Sequence, residues 1–83
     1  MRVVVRYFAS VREALGPGEE VEIGSGADIA ALRNALIARG GRHAEALGRE
    51  RVLRSARNRV LSPEKTALGE GDEVGFFPPL TGG

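Results

Sequence analysis

Apolar and polar residues alternate with period two near both ends of the chain and recur at helical spacing between them. In residues 2–8, Val3, Val5 and Tyr7 share one face, while Arg2, Val4, Arg6 and Phe8 share the other. Side chains alternate across a strand, so the uniformly apolar set is the core face and Phe8 is turned outward at the strand's end. Val11, Ala14 and Leu15 follow at helical spacing behind Ser10, a candidate cap, which predicts a short helical turn ended by Gly16-Pro17-Gly18. A second strand is expected over 20–23, with Val21 and Ile23 inward and Glu20 and Glu22 outward, returning in hairpin fashion onto the first.

Asp28 is a natural N-cap, and Ile29, Leu32, Leu36 and Ile37, with Ala35 between, form the stripe of a principal helix that runs to Arg39 and is closed by Gly40-Gly41. Residues 43–48 read as at most a further short turn. From Val52 the chain becomes extended, and alternation over 56–61 places Ala56 and Val60 on one face and Arg57, Arg59 and Leu61 on the other. Residues 62–66 are a loop, and 68–72 a tight turn into a closing strand with Val74 and Phe76 as core anchors and Phe77 outward. The order strand, short helix, strand, long helix, strand, strand predicts an α+β fold: a mixed sheet of four to five strands packed on one main helix, the β-grasp architecture of ubiquitin-like proteins.

With 83 residues, 42% of them hydrophobic and 28% charged, the chain fits one small globular domain. Cysteine is absent, which excludes disulfides, thiolate metal sites and thiol catalysis on this chain. If sulfur chemistry is involved, the sulfur is acquired. The net charge of +1 gives no ground for nucleic acid or an anionic membrane as a partner. No apolar run approaches the ~20 residues of a membrane span, and the start lacks the features of a signal peptide, so a cytoplasmic location is expected. His43, the only histidine, has no second ligand nearby in sequence and reads as a surface residue, so no metal site is expected. Ser10, Ser25, Ser55 and Ser62 have no identifiable histidine partner, and the glycine clusters at 16–18 and 24–26 lack the pattern of phosphate-binding loops. Arg49, Arg51, Arg54, Arg57 and Arg59 read first as a solvated outer strand face, then as a site for an acidic partner surface, then as a phosphate or RNA site.

The end of the chain has its own logic. Pro78 and Pro79 remove two successive backbone donors and fix φ near −65°, so a sheet ladder stops there and the chain leaves extended. Gly82 and Gly83 carry no Cβ, which makes the terminal carboxylate slender enough to enter a narrow cleft. The division expected is a domain over 1–78 and a projecting tail over 79–83. The bland alternative is a frayed chain end without a role.

Tyr7-Phe8-Ala9-Ser10-Val11-Arg12-Glu13, the helix from Asp28 to Arg39, and above all the block from Gly71 through Phe77-Pro78-Pro79-Leu80-Thr81-Gly82-Gly83 resemble the small, sulfur-carrier subunits of molybdopterin synthases, in the MoaD/ThiS-like ubiquitin-related family. The resemblance implies that Gly83 is adenylated with ATP by a ubiquitin-activating-like adenylyltransferase. A sulfur donor protein then converts it to a thiocarboxylate. It further implies that the large synthase subunit takes Gly82-Gly83 into its active site, in a heterotetramer of two small and two large subunits, and that sulfur passes to cyclic pyranopterin monophosphate. Phe8, Leu61, Phe77, Pro78, Pro79, Leu80 and Thr81 become partner-binding residues. No cofactor is bound permanently, and the chain is a sulfur-donating subunit with no autonomous active site. Two other destinations stay open: sulfur transfer to thiamine or to a transfer RNA base, and conjugation of Gly83 to lysine as a protein modifier. Arg57 departs from the family's usual apolar residue, which leaves the register of the third strand in doubt.

Overall fold

A computed structural model describes residues 1–79. The elements run β1 (Arg2–Tyr7), α1 (Ala9–Leu15), β2 (Gly18–Glu22), α2 (Ile29–Ile37), α3 (Gly41–Leu47), β3 (Arg54–Arg57), β4 (Val60–Leu61) and β5 (Glu73–Phe77). The strands form one mixed sheet in the order β2-β1-β5-β3-β4, with β1 and β5 parallel and the other pairs antiparallel. This is the expected β-grasp, with five strands.

The predicted core face is the buried one. Val3, Val5 and Tyr7 of β1 and Val74 and Phe76 of β5 are fully enclosed, and the register Val5↔Val74 and Tyr7↔Phe76 sets them side by side. Ile29, Leu32 and Leu36 of α2 close over them, joined by Val11 of α1 and Leu47 of α3. Asp28 caps α2, accepting from the Ala31 N–H at 2.8 Å. The loop after β4 completes the cap, for the N–H groups of Ile29 and Ala30 donate to the carbonyls of Thr66 and Glu64. The first-turn donors of a helix have no partner inside it, so this loop is tied down by the groups it satisfies.

Four details differ from the sequence reading. Helix α1 starts at Ala9 with Phe8 as its cap residue and no side-chain cap bond, so Ser10 lies inside the helix rather than ahead of it. Helix α2 ends at Ile37, two residues before the expected Arg39, and residues 41–47 form a further full helix entered through Gly40 and Gly41, at φ +73° and +54°, with Leu47 driven into the core. Asn58 and Arg59 form a two-residue hairpin turn, so Leu61 pairs with Ala56 and Val60 with Arg57, and the continuous alternation read across 56–61 is broken. His43 is half-buried, its Nε2 2.8 Å from Glu19 Oε2.

Among the described residues, no helix is long and apolar enough to cross a membrane. Leu80, Thr81, Gly82 and Gly83 lie outside those residues.

Candidate docking face

The outer face of the sheet, away from the helices, carries the candidate site. Directly opposed residues in a ladder share a face, so Arg6, Gly75, Ala56 and Leu61 form a row across β1, β5, β3 and β4, and Arg54 sits opposite Phe77. Gly75 and Ala56, at the middle of the row, have no side chain and a single methyl, which leaves a shallow apolar floor. Phe8 leaves the end of β1 and lies over that floor, and its N–H is held by the Phe76 carbonyl at 3.1 Å. A Cβ at position 75 would stand 3.0 Å from Phe8 Cε2, so the glycine is what lets the ring settle against the sheet. Phe77 meets Phe8 edge to face, with ring centroids 6.4 Å apart and planes at 82°.

The structure therefore brings three of the sequence-predicted residues together. Phe8 is 45% exposed and Leu61 63% exposed, and Phe77 is half-buried against the Phe8 ring. Pro78 and Pro79 line the same groove where the chain leaves β5. Leu80, Thr81, Gly82 and Gly83 fall outside the described residues. Leu61 reaches this face by pairing with Ala56, not by the alternation that first placed it outward. A large apolar cluster left bare on a small domain marks an interface.

Sequence reasoning did not identify Gly75, Ala56, Glu73 or Ala9 as parts of this groove. The signal for Gly75 was present: a lone glycine within a strand often marks a close approach. Two of the residues around the groove, Ala9 at φ +52° and Arg59 at φ +70°, hold a left-handed backbone, which costs a non-glycine residue about 1–3 kcal/mol. Arg59 and Arg6 both face the one carboxylate of Glu73, at 3.6 and 3.2 Å.

A second polar cluster lies on the other side of the sheet. The buried Tyr7 hydroxyl donates to Glu19 Oε2 at 2.7 Å, and Arg39 donates to Glu19 Oε1. Burial opposes ionisation of Glu19, but the hydrogen bonds from His43, Tyr7 and Arg39 outweigh it and hold the carboxyl at about 2. Burial, reinforced by the bond to Glu19, pushes the Tyr7 phenol well above its ordinary range. Both groups pack the fold and lie away from the exposed apolar groove.

The geometry can be set beside known proteins. The model of the ThiS family matches residues 5–83. The molybdopterin synthase sulfur carrier subunit of Mycobacterium tuberculosis is 39% identical over 85 residues, spanning 100% of this chain and 99% of the other. In the complex of subunits 1 and 2 of the molybdopterin-converting factor from Helicobacter pylori, a chain of equal coverage superposes with a TM-score of 0.69 at 30% identity, each chain covered completely. The crystal structure of SAMP1 from Haloferax volcanii gives a TM-score of 0.80 at 22% identity, again over both whole chains, a likeness of fold. The sheet order, the apolar groove beside the double proline and these matches lead to one assignment: the chain belongs to the ThiS family of ubiquitin-like β-grasp proteins.

Proposed function

We propose that this chain is the sulfur-carrier subunit of a molybdopterin synthase, docking through Phe8, Leu61 and Phe77 and delivering sulfur from its terminal Gly83. The observation that carries the reading is the bare aromatic groove at the root of the tail: the surface that would hold a partner and the segment that would enter it begin at the same residue, Pro78. The names of the relatives at 36–39% identity support the destination. The complex from Helicobacter pylori supports a large-subunit partner.

The chemistry follows from the carboxylate. An α-carboxyl group with a pKa near ~3.5 is ionised at neutral pH and is a poor electrophile. An adenylyltransferase joins it to AMP from ATP with release of pyrophosphate, giving a mixed anhydride. A donor's persulfide sulfur then displaces AMP, and reduction of the resulting acyl disulfide by a thiol releases the thiocarboxylate. Transfer of that sulfur to cyclic pyranopterin monophosphate, with water supplying the oxygen, restores the carboxylate. The chain serves as carrier and substrate, and its partners supply the catalytic groups.

The test is intact mass spectrometry after incubation with an activating enzyme, ATP and a sulfur donor. The expected product carries one sulfur in place of one oxygen at Gly83 and loses it again when the large subunit and pterin substrate are added. A covalent adduct of the whole chain on a target lysine would favour the protein-modifier reading. Loss of the sulfur to a thiamine precursor or a transfer RNA, but not to the pterin, would change the destination.

A further inference from the structure

Residues 58 and 59 pose a problem of local chemistry. A two-residue hairpin connection with positive φ at both positions favours Asn followed by Gly, because the second residue pays for any Cβ. Asn58 meets that preference and is well anchored: its N–H donates to the Glu73 carbonyl at 2.7 Å, its amide donates to Asp72 Oδ1 at 3.0 Å, and its carbonyl oxygen accepts from the Glu73 N–H at 2.9 Å. Arg59 does not meet it. At φ +70° it holds an arginine where the backbone asks for glycine, and its side chain is 87% exposed.

That side chain returns little to the fold. Among the described residues its one ion pair is a 3.6 Å contact with Glu73, which Arg6 already engages at 3.2 Å. An exposed pair of that length contributes next to nothing. The turn, however, is tied to β5 by Asn58, so the arginine's backbone is held in place where its side chain lines the groove that holds Phe8, Leu61 and Phe77. Arg54, exposed and paired with Phe77 in the ladder, adds a second arginine to the same face of the sheet, lining the neighbouring hollow beside Leu61, with no ion-pair partner among the described residues. Arg6 and Arg59 thus share the single carboxylate of Glu73, and Arg54 stands beside them without a carboxylate of its own among the described residues.

We propose that Arg59, with Arg54, is a specificity element of the docking face and that the partner covering this face presents carboxylate side chains opposite it. This rests on the reading of the groove as the docking surface. The occupant is a protein with an apolar projection bordered by Asp or Glu: apolar residues fill the groove, and the carboxylates meet the excess of guanidinium charge. Charges at the rim of an interface act chiefly on the rate of encounter and on the choice of partner.

The measurement is association with the purified large synthase subunit from the same source, by stopped flow at low and high ionic strength. Arg59→Gly is expected to keep or raise the melting temperature, because glycine relieves the left-handed backbone. It is expected to slow association by roughly threefold to tenfold at low salt and to flatten the salt dependence. Arg59→Glu is expected to slow it further. A lower melting temperature with unchanged association would assign Arg59 to the fold and overturn the proposal, as would association of the native chain that is insensitive to salt. Phe77→Asp separates the two layers of the argument. If it abolishes binding while Arg59→Gly and Arg59→Glu bind as the native chain does, the groove docks and the rim is idle. If Phe77→Asp also binds normally, the docking reading itself is lost.

Discussion

Arg33 is the most constrained charged residue in the fold. It is 3% exposed, and its guanidinium donates to the carbonyls of Leu47, Gly48 and Arg51 at 2.7–2.9 Å and to Glu64 at 2.7 Å. One side chain therefore satisfies the end of α3, the loop after it and the loop after β4. Replacing it with methionine keeps much of the stem volume but strands three carbonyls and leaves the Glu64 carboxylate to Arg49 alone, a loss of about 3–5 kcal/mol in chemical denaturation. A loss under ~1 kcal/mol would mean water replaces the guanidinium without cost. Glu19 governs a different condition. Its carboxyl is held at about 2 against an ordinary value of 4.5, so the unfolded chain takes up a proton before the folded one does. Its contribution is complete above pH 4.5 and disappears as the pH falls toward 2. Glu19→Gln should lower stability at neutral pH and flatten the loss between those two values, measured as melting temperature against pH. An unchanged acid slope would place the acid sensitivity elsewhere, for instance at Glu64 or Asp72, whose carboxyls are also held low.

At the scale of elements, α3 repays attention because it joins parts that are distant in sequence. It packs against α1 and α2 and sets Leu47 fully inside the core. Leu47→Ala should cost about 2–5 kcal/mol, a large share of the stability of so small a domain, and should expose the loop after β4 to hydrogen exchange, since Arg33 ties that loop to the end of α3. Exchange confined to α3 alone would break the link. The same helix marks where the sequence stopped being informative. The first strand, the stripe of α2 and the Val74–Phe76 pair were legible because their apolar period matched their burial. In α3 only Leu47 is a large apolar residue, and Gly40-Gly41 resembles a terminator although it serves as a hinge between two helices. The hairpin at Asn58-Arg59 was hidden for a related reason: it lacks the glycine by which such turns are recognised. Phe8 and Phe77 were legible as outward residues, while the row through Gly75 and Ala56 depended on a register that only strand pairing supplies.

For the molecule as a whole, the proposed sulfur-carrier role turns on the relation between the domain and its end. Among the described residues the buried core runs from Val3 to Phe76 and does not include Pro78 or Pro79. The six residues from Pro78 to Gly83 can span at most about 20 Å, which under the proposed function limits how far a receiving active site can lie from the apolar groove. Within that limit the chain length is a ruler. Adding one residue after Gly83 moves the carboxylate by up to about 3.5 Å and removes the glycine from the terminal position. A displacement near 1 Å is enough to cost about a hundredfold in a positioned reaction. Deletion of Gly83 errs in the opposite direction and leaves Gly82 with the carboxylate. Both variants should melt at the native temperature and bind the large subunit through Phe8, Leu61 and Phe77, yet fail to acquire sulfur by intact mass or to support pterin thiolation. Binding retained with transfer lost would separate the surface that holds the partner from the atom that is delivered. An extended variant that still loaded and transferred sulfur would show that the terminus is not gauged by its distance from the groove, and the coupling of docking to delivery would have to be abandoned.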